Sequence, residues 1–286
     1  MNSTEKKIIG ALTRLCETTG LLADCAERHT GGTLFILFLI SVIVKLTACW
    51  LAPSIGRDAA LYLHMANCWL ETGSYNDVIR QIPGVRWVPP MLLFLMKILM
   101  QSGMSAEMAG YAVNVISGSL ITPVGFGIAL EATGNKKTAL TTALLLAVHP
   151  MVSASSTEIL RDIPYLFFSG CTAWLVLAGL RRGNAAFWCS AGMFFAFALL
   201  TRYETLELLL PIPLAVLVFV LKRRLSWKRA LLSGAGFLVC GLIVFYTMLF
   251  LMGSENFISA FSGRVNQNVA FVEKRMFGLP KKTQGR

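Results

Sequence analysis

Three short polar sets interrupt an otherwise apolar chain: Arg57-Asp58, Arg161-Asp162 and Arg202-Tyr203-Glu204. Each joins a carboxylate to a guanidinium at the mouth of an apolar run. An ionised acid can take a proton from a hydroxyl, and a guanidinium fork matches phosphate or carboxylate geometry. Carrying a carboxylate to the bilayer centre costs about 2.5–3.5 kcal/mol, so an acid at a span mouth is hydrated, paired or functional. Taken singly, each Arg-Asp pair is equally well read as mutual neutralisation or headgroup anchoring. Three sets on one face of a membrane would favour a site.

The stretch Leu51–Trp69 carries the first set. Pro53 and Gly56 break the chain, and a short amphipathic helix is expected to follow, with Ser54 as its cap and Asp58 in its first turn. The helix dipole there favours an ionised acid. Asp58, Tyr62, Met65 and Trp69 fall on one face by helical spacing. Such a face suits a general base beside an aromatic wall that could hold a sugar, or equally an interfacial helix with its aromatic belt. His64 and His149 have no partner at ligand spacing and read as packing or interface residues.

The elements that must position these groups are membrane spans. The chain has 286 residues, is 55% hydrophobic and only 14% charged, which is the composition of an all-α polytopic membrane protein. The net charge of +11 sits in short clusters between apolar runs, as positive-inside loops do, and nucleic acid is excluded as a partner. The seven cysteines have no paired spacing and indicate neither a disulfide framework nor a zinc site. Spans are expected at about 33–52, 106–130, 138–156, 163–180, 185–200, 207–221 and 230–252. Lys45 and Thr47 interrupt the first, so one of its sides should face protein. Gly118, Gly125 and Gly127, with Ser117 and Ser119, suit close helix packing.

Orientation follows from the basic loops. Asn135-Lys136-Lys137, Arg181-Arg182-Gly183-Asn184 and the segment Lys222–Arg229 should be cytoplasmic. Counting spans from them places Asp58, Asp162 and the Arg202-Tyr203-Glu204 set together outside. The apolar piece 89–102 is then too short to cross and should be re-entrant or lie on the surface. The organisation expected is a cytoplasmic segment 1–32, a membrane module 33–252 of seven spans whose large external loop 53–105 carries short amphipathic helices and the site, and an external tail 253–286. The first 30 or so residues read as a cytoplasmic surface tail, not a cleavable signal.

In order, Arg57-Asp58, Tyr62, Ala66, Gly73 and Pro89-Pro90 form a pattern that resembles the first external loop of GT-C membrane glycosyltransferases, closest to the protein O-mannosyltransferase and aminoarabinose transferase family (glycosyltransferase family 39). His149-Pro150, Ser155-Ser156-Thr157-Glu158 and Arg161-Asp162-Ile163-Pro164 are similar to a second signature, and Leu199-Leu200-Thr201-Arg202-Tyr203-Glu204 to a third. The resemblance spans about 33–250. It implies a seven-span module in a bacterial plasma membrane, with the site outside, that transfers a sugar with inversion from a polyprenyl-phosphate donor to a lipid, glycan or protein acceptor. It implies Asp58 as the base taking the acceptor's proton and Asp162 as a second external acid. Arg202 stands where a cation meets the donor phosphate, with Arg57, Arg86 and Arg161 as second choices and Tyr62 and Glu204 as further substrate contacts. The acids could also hold a divalent ion, although no ligand cluster demands one. Two departures are visible. Many relatives have Asp-Glu where this chain has Asp58-Ala59, and they continue beyond the seventh span, so a shortened relative is expected. A lipid or ion transporter and a non-catalytic membrane subunit are the alternative readings.

Overall fold

The computed structural model describes residues 27–82 and 88–253. Arg86, one of the anticipated phosphate contacts, lies outside the described residues, as do most of the two terminal segments. The described residues are helical: α1 Thr30–Leu51, α2 Arg57–Thr72, α3 Tyr75–Gln81, α4 Met91–Gln101, α5 Ala106–Thr133, α6 Lys136–Ala147, α7 Pro150–Ser156, α8 Asp162–Arg182, α9 Ala185–Leu199, a 3-10 segment Tyr203–Leu209, α10 Pro211–Leu221 and α11 Trp227–Leu251. Among the described residues there is no strand, only a parallel bridge between Ser54 and Glu158.

The helix ends follow local chemistry. Ser105 caps α5 by accepting from the Met108 amide at 3.2 Å, and Gly134 closes the helix at φ 72°, a left-handed conformation that suits glycine. Asn135, Asn184 and Ser226 cap α6, α9 and α11 in the same way. These caps lie in the basic loops, so the positive clusters and the helix starts coincide at one end of the bundle.

Five helices are long and apolar enough to cross a membrane, six when α6 and α7 count as one span. That pair occupies the expected run 138–156 but bends by 45°. Pro150 cannot continue the ladder and pushes His149 to extended backbone. His149 instead caps α7, its Nδ1 accepting from Val152. The remaining expected span is α9, whose 15 residues make it roughly 22 Å long, short of the ~30 Å hydrocarbon core. The run 207–221 forms as the 3-10 segment followed by α10. Helix α4, with 11 residues, is roughly 16 Å long, shorter than the ~30 Å hydrocarbon core; it buries Met91, Leu92, Leu93 and Met96 beneath α2.

The spans pack through small residues. At Gly118 a Cβ would lie 2.6 Å from Ser156 Oγ and 3.0 Å from Lys45 Cε, and at Gly125 and Gly127 it would overlap Leu146 and Trp174. Lys45 is fully buried there. Its ammonium donates to Ser41 Oγ at 2.7 Å, which also accepts from Thr122 at 3.1 Å. One side of α1 does face protein, and it is the Ser41–Lys45 side; Thr47 is exposed. Helices α9 and α11 meet backbone to backbone, since a Cβ on Gly192 would overlap the Phe237 carbonyl. Gly192→Leu is expected to destabilise the bundle by about 1–3 kcal/mol or more through overpacking. Thermal unfolding in detergent reads this out, with Gly234→Ala as a control, because a Cβ at Gly234 meets open space.

Candidate active site

At the end of the bundle away from the basic loops, backbone hydrogen bonds tie the external-loop elements to the span ends. The Ser54 amide donates to Thr157 O at 3.2 Å, Met91 N to Leu200 O at 3.0 Å and Tyr75 N to Met252 O at 3.2 Å. Asn114 of α5 donates to Glu158 O at 2.6 Å. The start of α2, the turn into α8, the end of α9 and the end of α11 thus share one end of the molecule. Underneath lies a core of Tyr62, Met65, Trp69, Tyr75, Leu92 and Ile159. Burial pushes the Tyr75 phenol well above its usual range, so it stays protonated and donates to Val88 O at 2.5 Å.

Arg202 is the most strongly positioned of the anticipated residues. Its own amide closes α9 on Ala198 O at 2.8 Å. Thr201 and Thr205, both fully buried, flank it, and Thr205 Oγ1 donates back to Arg202 O at 2.7 Å. With its backbone fixed, the guanidinium grips Glu204 through two bonds, Nη2 to Oε1 at 3.1 Å and Nε to Oε2 at 3.3 Å. Its Nη1 pairs with Asp162 across the site. The guanidinium also lies over the Tyr165 ring, 5.6 Å from the centroid.

The second cation, Arg161, lies over the Tyr62 ring at 5.6 Å. That contact joins α2 to the head of α8. One turn before Tyr62, Asp58 stands in the first turn of α2 with its side chain exposed, and Arg57 beside it is exposed too. Neither makes an ion pair or hydrogen bond to another described residue. Neighbour pairing is therefore not the rule: Asp162 is held by Arg202 and not by Arg161, which leaves Arg161 to the aromatic face. Ser54 is not the cap of α2; Gly56 occupies that position without a side-chain bond, because the Ser54 backbone is committed to the Thr157–Glu158 strap. No described contact links Asp58 to Asp162 or Arg202.

Tyr165 was not among the anticipated residues. It lies four residues after Arg161, a spacing that puts both on one helix face, and this was the available signal. Lys97 was likewise passed over: its ammonium lies 5.1 Å from the Trp69 ring centroid and donates to Gly73 O at 3.1 Å, pinning α4 to the end of α2. Among the described residues no three His, Cys, Asp or Glu side chains gather as a metal site.

The sequence profile of the family described as dolichyl-phosphate-mannose-protein mannosyltransferase matches residues 87–250, more than half of the chain. The chain belongs to this family. It is a multi-pass membrane protein of GT-C glycosyltransferase ancestry. The matched stretch contains Arg161, Asp162, Arg202 and Glu204, whereas Arg57, Asp58, Tyr62 and Arg86 precede it. Comparison with curated proteins finds no match.

Proposed function

We propose that this family member transfers a sugar from a polyprenyl phosphate to an acceptor hydroxyl, with inversion, at the end of the bundle that carries Asp58, Arg161 and Arg202. The observation that carries the reading is the Arg202 fork, held by Glu204 and Asp162 and lying over Tyr165, beside a second cation stacked on the helix that presents an exposed Asp58. In this reading Asp58 accepts the acceptor's proton and the freed oxygen attacks the anomeric carbon from the face opposite the phosphate. The carbon–oxygen bond to the phosphate breaks, and polyprenyl phosphate leaves with its charge met by Arg202; Arg161 and Arg57 are the second choices for that charge. Asp162 and Glu204 hold the Arg202 fork until the donor arrives, and Tyr62, buried under the Arg161 guanidinium, backs the sugar site from beneath. A shallow apolar groove of about 130 Å³ beside Leu199, Gly241 and Phe245 suits the prenyl tail. The acceptor would be a lipid, glycan or protein, and the external loop 53–105 within module 33–252 would carry the chemistry.

The test is transfer by the full chain in proteoliposomes from radiolabelled polyprenyl-phosphate sugars. Label moving to an acceptor is expected; transfer from nucleotide sugars instead would overturn the donor assignment. In this reading the basic loops face the cytoplasm, and the site would face outside, in a plasma membrane such as a bacterial one. In a cysteine-substituted background, Glu71→Cys and Ala186→Cys are expected to react with an impermeant maleimide from opposite sides. Labelling from the same side would end the topology.

A further inference from the structure

The opposite end of the bundle carries a feature that sugar transfer does not use. Lys222, Arg223, Arg224, Lys228 and Arg229 cluster in and just after the α10–α11 turn, all exposed, and none of them pairs with an acid among the described residues. The turn is built, not loose. Arg223 adopts φ 54°, Arg224 N donates to Phe219 O at 2.9 Å, and Arg223 N to Val220 O at 2.9 Å. Leu225 is buried beneath it, and Ser226 caps α11, whose dipole adds positive potential at the same place. Directly beside this cluster opens a groove of about 320 Å³ between α9, α10 and α11, lined by Trp188, Ile212, Val216, Trp227, Gly234 and Phe237. Its walls are apolar and it lies within the hydrophobic run of α10 and α11.

We propose that this end is a binding site for an anionic phospholipid. Its phosphate headgroup sits on the 222–229 cluster and one acyl chain fills the α9–α10–α11 groove. Charge selects the occupant: unpaired cations at headgroup level attract anionic lipid, while the adjoining trough takes hydrocarbon. A loop that served topology alone would need no trough beside it. Gly234 lines the trough, and a Cβ there would meet only open space.

The experiment is lipid retention by the detergent-solubilised full chain, read by native mass spectrometry with dioleoyl phosphatidylglycerol against dioleoyl phosphatidylcholine. The two lipids share their chains, so any difference reports the headgroup. Phosphatidylglycerol is expected to bind about tenfold or more tightly. The triple change Lys222→Gln, Arg224→Gln, Lys228→Gln should reduce it to the phosphatidylcholine level. Gly234→Leu, whose Cβ meets open space at the groove wall, should weaken both lipids while the chain still unfolds cooperatively near the wild-type temperature. Equal retention of the two lipids by the wild type, a preference that survives the triple change, or retention indifferent to Gly234→Leu would each overturn the site. Sugar transfer is not part of the readout, so this proposal and the catalytic one fail separately.

Discussion

Asp58→Asn is expected to lower turnover by about 100- to 10,000-fold, the usual contribution of a positioned general base, with the donor KM little changed. The amide is isosteric but cannot accept the acceptor's proton. The fold should be indifferent. Asp58 is exposed and bonds to no other described residue, so the change removes at most the first-turn dipole interaction, about 0.3–1 kcal/mol. That separation makes the measurement decisive: thermal unfolding within error of wild type, together with lost transfer from a polyprenyl-phosphate sugar, isolates chemistry from stability. Turnover within threefold of wild type would remove Asp58 from the mechanism and leave its helix as an interfacial element with an aromatic belt. The prediction is the more exposed because Asp58 lies before the stretch that the family match covers.

Bilayer physics made much of the architecture legible. Run lengths placed the helix boundaries within a few residues, and the basic clusters assigned Asp58, Asp162 and Arg202 to one face; the bonds Ser54–Thr157, Met91–Leu200 and Tyr75–Met252 tie the external-loop elements to the ends of the long helices. The short run 89–102 was too short to cross on length alone, and it folds as the 11-residue α4. Partner choice was not legible. Nothing in Arg161-Asp162 says that Asp162 will turn to a residue forty positions later while Arg161 stacks on Tyr62. That choice depends on how α8 and the end of α9 converge, and spacing along one helix does not encode it. Thr47 shows the same limit. It interrupts the apolar run as Lys45 does, yet only Lys45 lies on the stripe facing Gly118. The α6–α7 bend was readable from Pro150 but was overridden by the continuity of the hydrophobic run.

Arg202→Gln tests the other half of the reaction. Removing a cation that meets developing charge on a leaving phosphate is expected to cost about 100- to 1,000-fold in kcat/KM, and Arg202→Lys should recover only part of it, since an ammonium restores charge but not the two-pronged geometry. A purely structural role predicts otherwise. Arg202 side-chain exposure is 30%, and Asp162 and Glu204 are near half, so these ion pairs each contribute roughly 0–1 kcal/mol to stability, too little to abolish activity by unfolding. The remaining structural reading is that Arg202 only keeps two carboxylates apart. The double variant Arg202→Gln, Glu204→Gln separates the two. If the arginine merely neutralises, deleting the Glu204 charge relieves the repulsion left behind and activity returns. If the fork meets the donor phosphate, the double variant stays as impaired as Arg202→Gln, because the missing partner is on the substrate. Recovery in the double variant would move Arg202 from phosphate binding to positioning.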